Sequence, residues 1–80
     1  MAQPLEARVA RVVADVFGVS PGEIADDSSP ETIEAWDSLK HVALIVALEA
    51  EFRIVIRPEE AVDMLSVGQV KQVLIRHGVA

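Results

Sequence analysis

The stretch 38–52 contains neither glycine nor proline, and it carries apolar side chains on two opposite sides of a helix. At about 100° per residue, Leu44, Ile45, Leu48 and Phe52 fall in one stripe and Leu39, Val42, Ala43, Val46 and Ala50 in another, with Lys40, Glu49 and Glu51 on the flanks. A surface helix needs one apolar stripe. A helix with two must be sandwiched inside the fold or must offer one stripe to something outside it. The larger side chains, Leu44, Ile45, Leu48 and Phe52, are assigned to the core, and Leu39, Val42 and Val46 are left either to face outward or to pack against a loop that must bury Ile33 and Trp36.

The rest of the chain supplies what this helix packs against. Leu5, Val9, Val12, Val13, Val16 and Phe17 recur at helical spacing, with Pro4 suited to the first turn and Gly18 to a left-handed stop, so a helix is expected over 4–17. Residues 18–37 are rich in turn formers and read as a long loop. Within it, Ser20-Pro21-Gly22-Glu23 has a capping-box pattern able to start one helical turn, and Ile24, Ile33 and Trp36 can pin the loop to the core. Ile54-Val55-Ile56 has strand propensity but no second strand to pair with, so 53–57 reads as an extended connection. A short helix is expected from Pro58 to about Met64, with Glu59 and Glu60 at its positive end. A last helix begins at Ser66, with Gln69 completing a second capping-box pattern, Val67, Val70, Val73 and Leu74 facing the core, and His77-Gly78 as the stop. The expected fold is all-α, a four-helix bundle of three main helices, one short helix and a long loop between helices 1 and 2, in a single domain over residues 1–80.

Composition narrows the function classes. With 80 residues and no cysteine, the chain has no disulfide framework and no thiolate metal site, and its size leaves no room for a deep substrate cavity. Acidic residues exceed basic ones, 13 to 7, which disfavours nucleic acid and favours a partner with a basic docking patch. No Lys or Arg falls between Arg11 and Lys40, whereas Asp15, Glu23, Asp26, Asp27, Glu31, Glu34 and Asp37 do. The start, 1–6, lacks the basic residue and apolar run of a signal peptide, and the longest apolar stretch, 42–48, is too short to span a bilayer; a cytoplasmic monomer with no membrane partner is expected.

Trp36-Asp37-Ser38-Leu39 is where chemistry is most plausible, because a long loop delivers a serine to the start of the most apolar helix. Asp37 or Ser38 as helix cap would explain only one of the pair. The free amides and positive dipole end of the helix also favour an anionic group, so a phosphodiester attached through Ser38 would sit well there.

Asp37-Ser38-Leu39, followed by Val42, Leu44, the Ala47-Leu48-Glu49 run, Glu51-Phe52 and Ile56-Arg57-Pro58-Glu59-Glu60, resembles an acyl carrier protein, and the resemblance extends from the first helix through Ser66-Val67. It implies a protein that is not itself an enzyme and that works as a freestanding carrier. Ser38 would bear 4′-phosphopantetheine, transferred from coenzyme A by a phosphopantetheinyl transferase, with Asp37 and Leu39 as recognition neighbours. The arm's thiol would hold acyl groups as thioesters and present them to acyl-loading and acyl-processing enzymes. It further implies a docking surface on Leu39, Lys40, Val42, Ala43 and Val46, and an acyl-chain lining of Leu48, Ile56, Ala61, Met64 and Leu65, although for the unloaded state plain core packing of these residues is expected. Carriers of general fatty acid synthesis are typically acidic where this chain has Lys40 and Ala43, and Trp36 before Asp37 is more similar to carriers of specialised or modular pathways. Surface charge governs encounter and partner choice, so service in a specialised pathway is implied.

Three other readings stand beside this one. A peptidyl carrier shares the implied fold and arm. An unmodified helical adaptor would keep the fold and only bind proteins. A hydrolase could be drawn from Ser38, His41 and Asp37, but a triad needs its acid on the far side of the imidazole, which adjacent Asp37 does not easily provide. His41 reads as a partly exposed helix residue, and His77 as a C-terminal dipole partner, not a metal ligand.

Overall fold

The apolar series of the first segment becomes α1, Leu5–Phe17, with Val9, Val12, Val13, Ala14 and Phe17 buried. The computed structural model describes residues 4–79; residues 1–3, part of the start read for a leader, and Ala80 lie outside the described residues. Three further helices follow, α2 (Ser38–Phe52), α3 (Pro58–Val62) and α4 (Val67–Arg76), and among the described residues there is no strand. The Cα radius of gyration is 11.4 Å, close to the ~11.6 Å expected of a folded chain this long. Val9, Val13, Leu44, Leu48, Met64, Val70, Val73 and Leu74 form the fully buried centre, to which all four helices or their connections contribute. No described helix is long and apolar enough to cross a membrane.

Helix ends follow backbone chemistry more closely than the side-chain patterns suggested. Pro4 is the cap residue before α1, one position earlier than a first-turn proline, and Gly18 ends the helix at φ 70° with its N–H on Ala14 O at 2.8 Å. The expected capping box at Ser20 is not formed. Residues Pro21–Glu23 make a single 3-10 turn, in which the Ser20 carbonyl itself accepts the Glu23 N–H at 2.9 Å, so the hydroxyl has no orphan amide to serve. At α4 the box is half formed: Ser66 Oγ accepts from Gln69 N–H, but Gln69 Oε1 accepts from Leu65 N–H at 2.9 Å, one residue beyond Ser66. α3 stops at Val62, short of Met64, and Glu60 reaches back to accept the Arg57 N–H at 3.0 Å.

The long loop is held by hydrogen bonds that no side-chain pattern announces. The N–H groups of Val67 and Gly68, in the first turn of α4, donate to the carbonyls of Ser28 and Asp26 at 2.9 and 2.8 Å. These are amides a helix start leaves without intrahelical partners, and the loop supplies the acceptors. Buried Ser28 accepts the Ala25 N–H on its Oγ, and Lys71 of α4 pairs with Asp26. Gly68 permits the approach, since a Cβ there would stand 3.2 Å from the Asp26 carbonyl oxygen. Ile33 and Trp36 are buried and Ile24 is packed against the core, as expected for the residues that pin the loop.

The 53–57 segment is an extended connection whose missing ladder partner is replaced by a side chain: Glu49 Oε2 accepts the Ile56 N–H at 2.8 Å. Against α1, Glu51 of α2 receives Arg8 at 3.3 Å and Arg11 at 2.8 Å, and the Arg8 guanidinium lies 4.4 Å from the Phe52 ring centre. The arginines thus join α1 to the end of α2 beside the half-buried Phe52, while Leu44 and Leu48 of the same stripe are fully buried.

Candidate functional site

Ser38 is the first residue of α2 and is exposed. Asp37 is the cap: its Oδ1 accepts the Lys40 N–H at 2.8 Å and its backbone carbonyl accepts the His41 N–H at 2.8 Å. Capping falls to Asp37, and the hydroxyl of Ser38 has no hydrogen-bond partner among the described residues. The Ser38 and Leu39 N–H groups have no carbonyl partner among the described residues, so an anion on Ser38 Oγ would meet free amides and the positive end of the helix.

The second apolar stripe faces outward from the same end. Leu39 is 78 % exposed, Val42 58 % and Val46 59 %, with Lys40 and Ala43 exposed beside them. Burial of the loop does not use this stripe, because Trp36 stacks on Phe17 of α1 with ring centres 5.0 Å apart. The expected lining set divides in two. Leu48, Ile56 and Met64 are buried in the core and Ala61 is packed against it, but Leu65 is 58 % exposed. Leu65 lies on the connection from α3 to α4 and, with Pro30, Trp36, Asp37, Ser38 and His41, lines a surface groove of about 450 Å³. It belongs to the surroundings of Ser38, because α3 ends early and its following turn carries Met64 inward and Leu65 outward.

No protein-family model matches the chain.

His41 is a half-buried residue of α2, as read, and its ring has defined partners. The Trp36 indole N–H donates to His41 Nδ1 at 2.9 Å, and His41 Nε2–H donates to the Ala61 carbonyl at 3.0 Å. This pattern assigns the neutral tautomer with the proton on Nε2. The only lone pair of the ring is taken by Trp36, so a Ser38–His41–Asp37 relay, which needs a free ring nitrogen toward the serine, is not assembled. Trp36 and His41 occupy the positions just before the cap and one turn into the helix, where apolar residues commonly staple a helix start. That spacing was the available sequence signal for the pair.

His77 caps the C-terminal end of α4, the position read for a dipole partner, and meets a carboxylate there as well. Its Nε2 lies 2.9 Å from Glu60 Oε2, joining the end of α4 to α3. The Glu60 carboxyl is held below the ordinary glutamate value first by the Arg57 backbone N–H, against the opposing effect of burial, and then by the hydrogen bond and charge of His77 and the charge of Arg57. Among the described residues, no three His, Cys, Asp or Glu side chains converge as ligands for a metal ion.

Proposed function

We propose that this chain is an acyl carrier of a specialised biosynthetic pathway, with its helices acting as a four-helix bundle that presents Ser38. The observation that carries the reading is an exposed serine at the first position of α2 whose capping role has been taken over by Asp37. A hydroxyl placed at free amides, beside an outward apolar stripe, has no evident structural use and suits covalent attachment of an anionic group.

The residues fit 4′-phosphopantetheine. Ser38 Oγ would displace 3′,5′-ADP from coenzyme A on a phosphopantetheinyl transferase: one Oγ–P bond forms, the P–O bond of the pyrophosphate breaks, and the hydroxyl proton passes to the transferase. The amides of Ser38 and Leu39 would face the phosphodiester, and Asp37 would hold the helix start in register. Once attached, the group supplies a thiol on which acyl groups are carried as thioesters. Leu39, Val42 and Val46 would give partner enzymes an apolar contact, and Lys40 and Ala43 make that face less acidic than the rest of the chain's charge. In this role the protein performs no chemistry itself.

Incubation with coenzyme A and a broad-specificity transferase should add one phosphopantetheinyl mass to the wild type and none to Ser38→Ala. A wild type that gains no mass, under conditions that load a control carrier, would leave the unmodified adaptor as the better reading.

A further inference from the structure

We infer that His41 is a latch that keeps whatever Ser38 carries outside the bundle, in the groove bounded by Pro30, Trp36 and Leu65, so that the cargo class is a short or polar acyl group and not a long alkyl chain. The inference rests on the carrier reading and adds the cargo class to it.

The route from Ser38 toward the interior passes one turn along α2, and His41 stands there. Its two bonds tie three elements together: the loop through Trp36, α2 through its own backbone, and α3 through Ala61. A chain entering between α2 and α3 would have to part His41 from Ala61 and take the acceptor from the ring N–H, while the Ala61 carbonyl would keep only the Met64 N–H at 3.2 Å. Behind the latch the space is already filled. Leu44, Leu48, Met64 and Leu74 have no exposed surface, and a close-packed interior takes added methylenes only by moving side chains off their preferred conformations.

Outside the latch the opposite holds. The groove has Ser38 in its wall, so a group attached there reaches it without any rearrangement. It offers Pro30, an edge of Trp36 and Leu65 together with Asp37 and the His41 ring, and it is open to solvent. Such a surface suits an amide-bearing arm and a small acyl group. It gives a long alkyl chain little to bury against.

The test loads wild type, His41→Gln and His41→Ala from acetyl-, hexanoyl- and dodecanoyl-coenzyme A and follows cleavage of each thioester by hydroxylamine. In the wild type the three esters should be cleaved at rates agreeing within about two-fold, since a group held outside the fold needs no opening step before attack. In His41→Ala the dodecanoyl ester should be cleaved roughly ten-fold more slowly than the acetyl ester, because attack then waits on local opening. His41→Gln, which keeps an N–H for the Ala61 carbonyl, should behave as the wild type. Fluorescence of Trp36, the single tryptophan, should change when the acetylated arm is installed on the wild type.

Protection that rises with chain length in the wild type overturns the latch, and does so even if His41→Ala fails to fold. A chain-length-independent His41→Ala, or an unchanged Trp36 signal, also overturns it. Failure of every form to gain the arm's mass removes the carrier reading itself, which separates the two.

Discussion

Glu60 on α3 and His77 at the end of α4 meet at 2.9 Å, and the same carboxylate accepts the Arg57 N–H at 3.0 Å. One side chain therefore closes the start of the shortest helix and ties it to the last one. A five-residue helix has little cooperativity of its own, so these contacts are a substantial part of what keeps α3 in place.

The pH dependence of stability follows from the sign of the Glu60 shift. The folded carboxyl is held below its ordinary value of 4.5, so it contributes stability that is present above that value and is lost as pH falls through the folded one. Glu60→Gln keeps an acceptor for Arg57 and removes the charge. Urea unfolding from pH 7 downward should show the wild type ahead of Glu60→Gln at neutral pH, with the gap closing below about pH 4.5. A gap that stays constant across that window would mean the carboxylate charge is not involved.

Arg53 follows α2 in the left-handed region, at φ 55°, and is the one described non-glycine residue with positive φ. A side chain there costs about 1–2 kcal/mol. Glycine would relieve this while making the unfolded chain more flexible, a penalty of about 0.4–1 kcal/mol. Arg53→Gly should therefore raise unfolding free energy by up to about 1 kcal/mol, since the exposed guanidinium has no partner among the described residues to lose. Chemical denaturation measures it, and a loss of stability would show that the Arg53 side chain contributes more than its strain costs.

The two stripes of α2 should separate stability from recognition. Leu48→Ala removes a fully buried side chain and should cost about 2–5 kcal/mol. Val42→Ala and Val46→Ala on the exposed stripe should shift stability by no more than about 0.5 kcal/mol. If the stripe docks the transferase, the double variant should lower kcat/KM for arm installation roughly ten-fold, equivalent to about 1.4 kcal/mol. Unchanged installation kinetics in a stably folded double variant would remove the stripe from that interface.

Much of this architecture was legible in order along the chain. The series from Leu5 to Phe17 could only bury one face as a helix, Gly18 marked its end, Ser66 marked the start of another, Asp37 or Ser38 the start of a third, and the stripe of larger side chains in 38–52 marked its buried face. Periodicity records which face each segment must bury, and those faces were buried, whereas of the two capping boxes read in the sequence the one at Ser20 did not form and the one at Ser66 formed in half. The site was legible in part: Asp37 and Ser38 stood at a helix start, with Leu39, Val42 and Val46 on a second apolar face.

Tertiary structure decided which groups meet. The Ala61 carbonyl that receives His41, and the Ser28 and Asp26 carbonyls that receive the first amides of α4, belong to the backbone, and every residue carries the same carbonyl. No residue type announces that it will be a partner. Leu65 differs from Met64 in exposure because α3 ends where it does, and Glu60 finds His77 because α4 returns past α3. Such pairings depend on distances between segments far apart in the chain, which packing of the common core sets and a linear pattern does not contain.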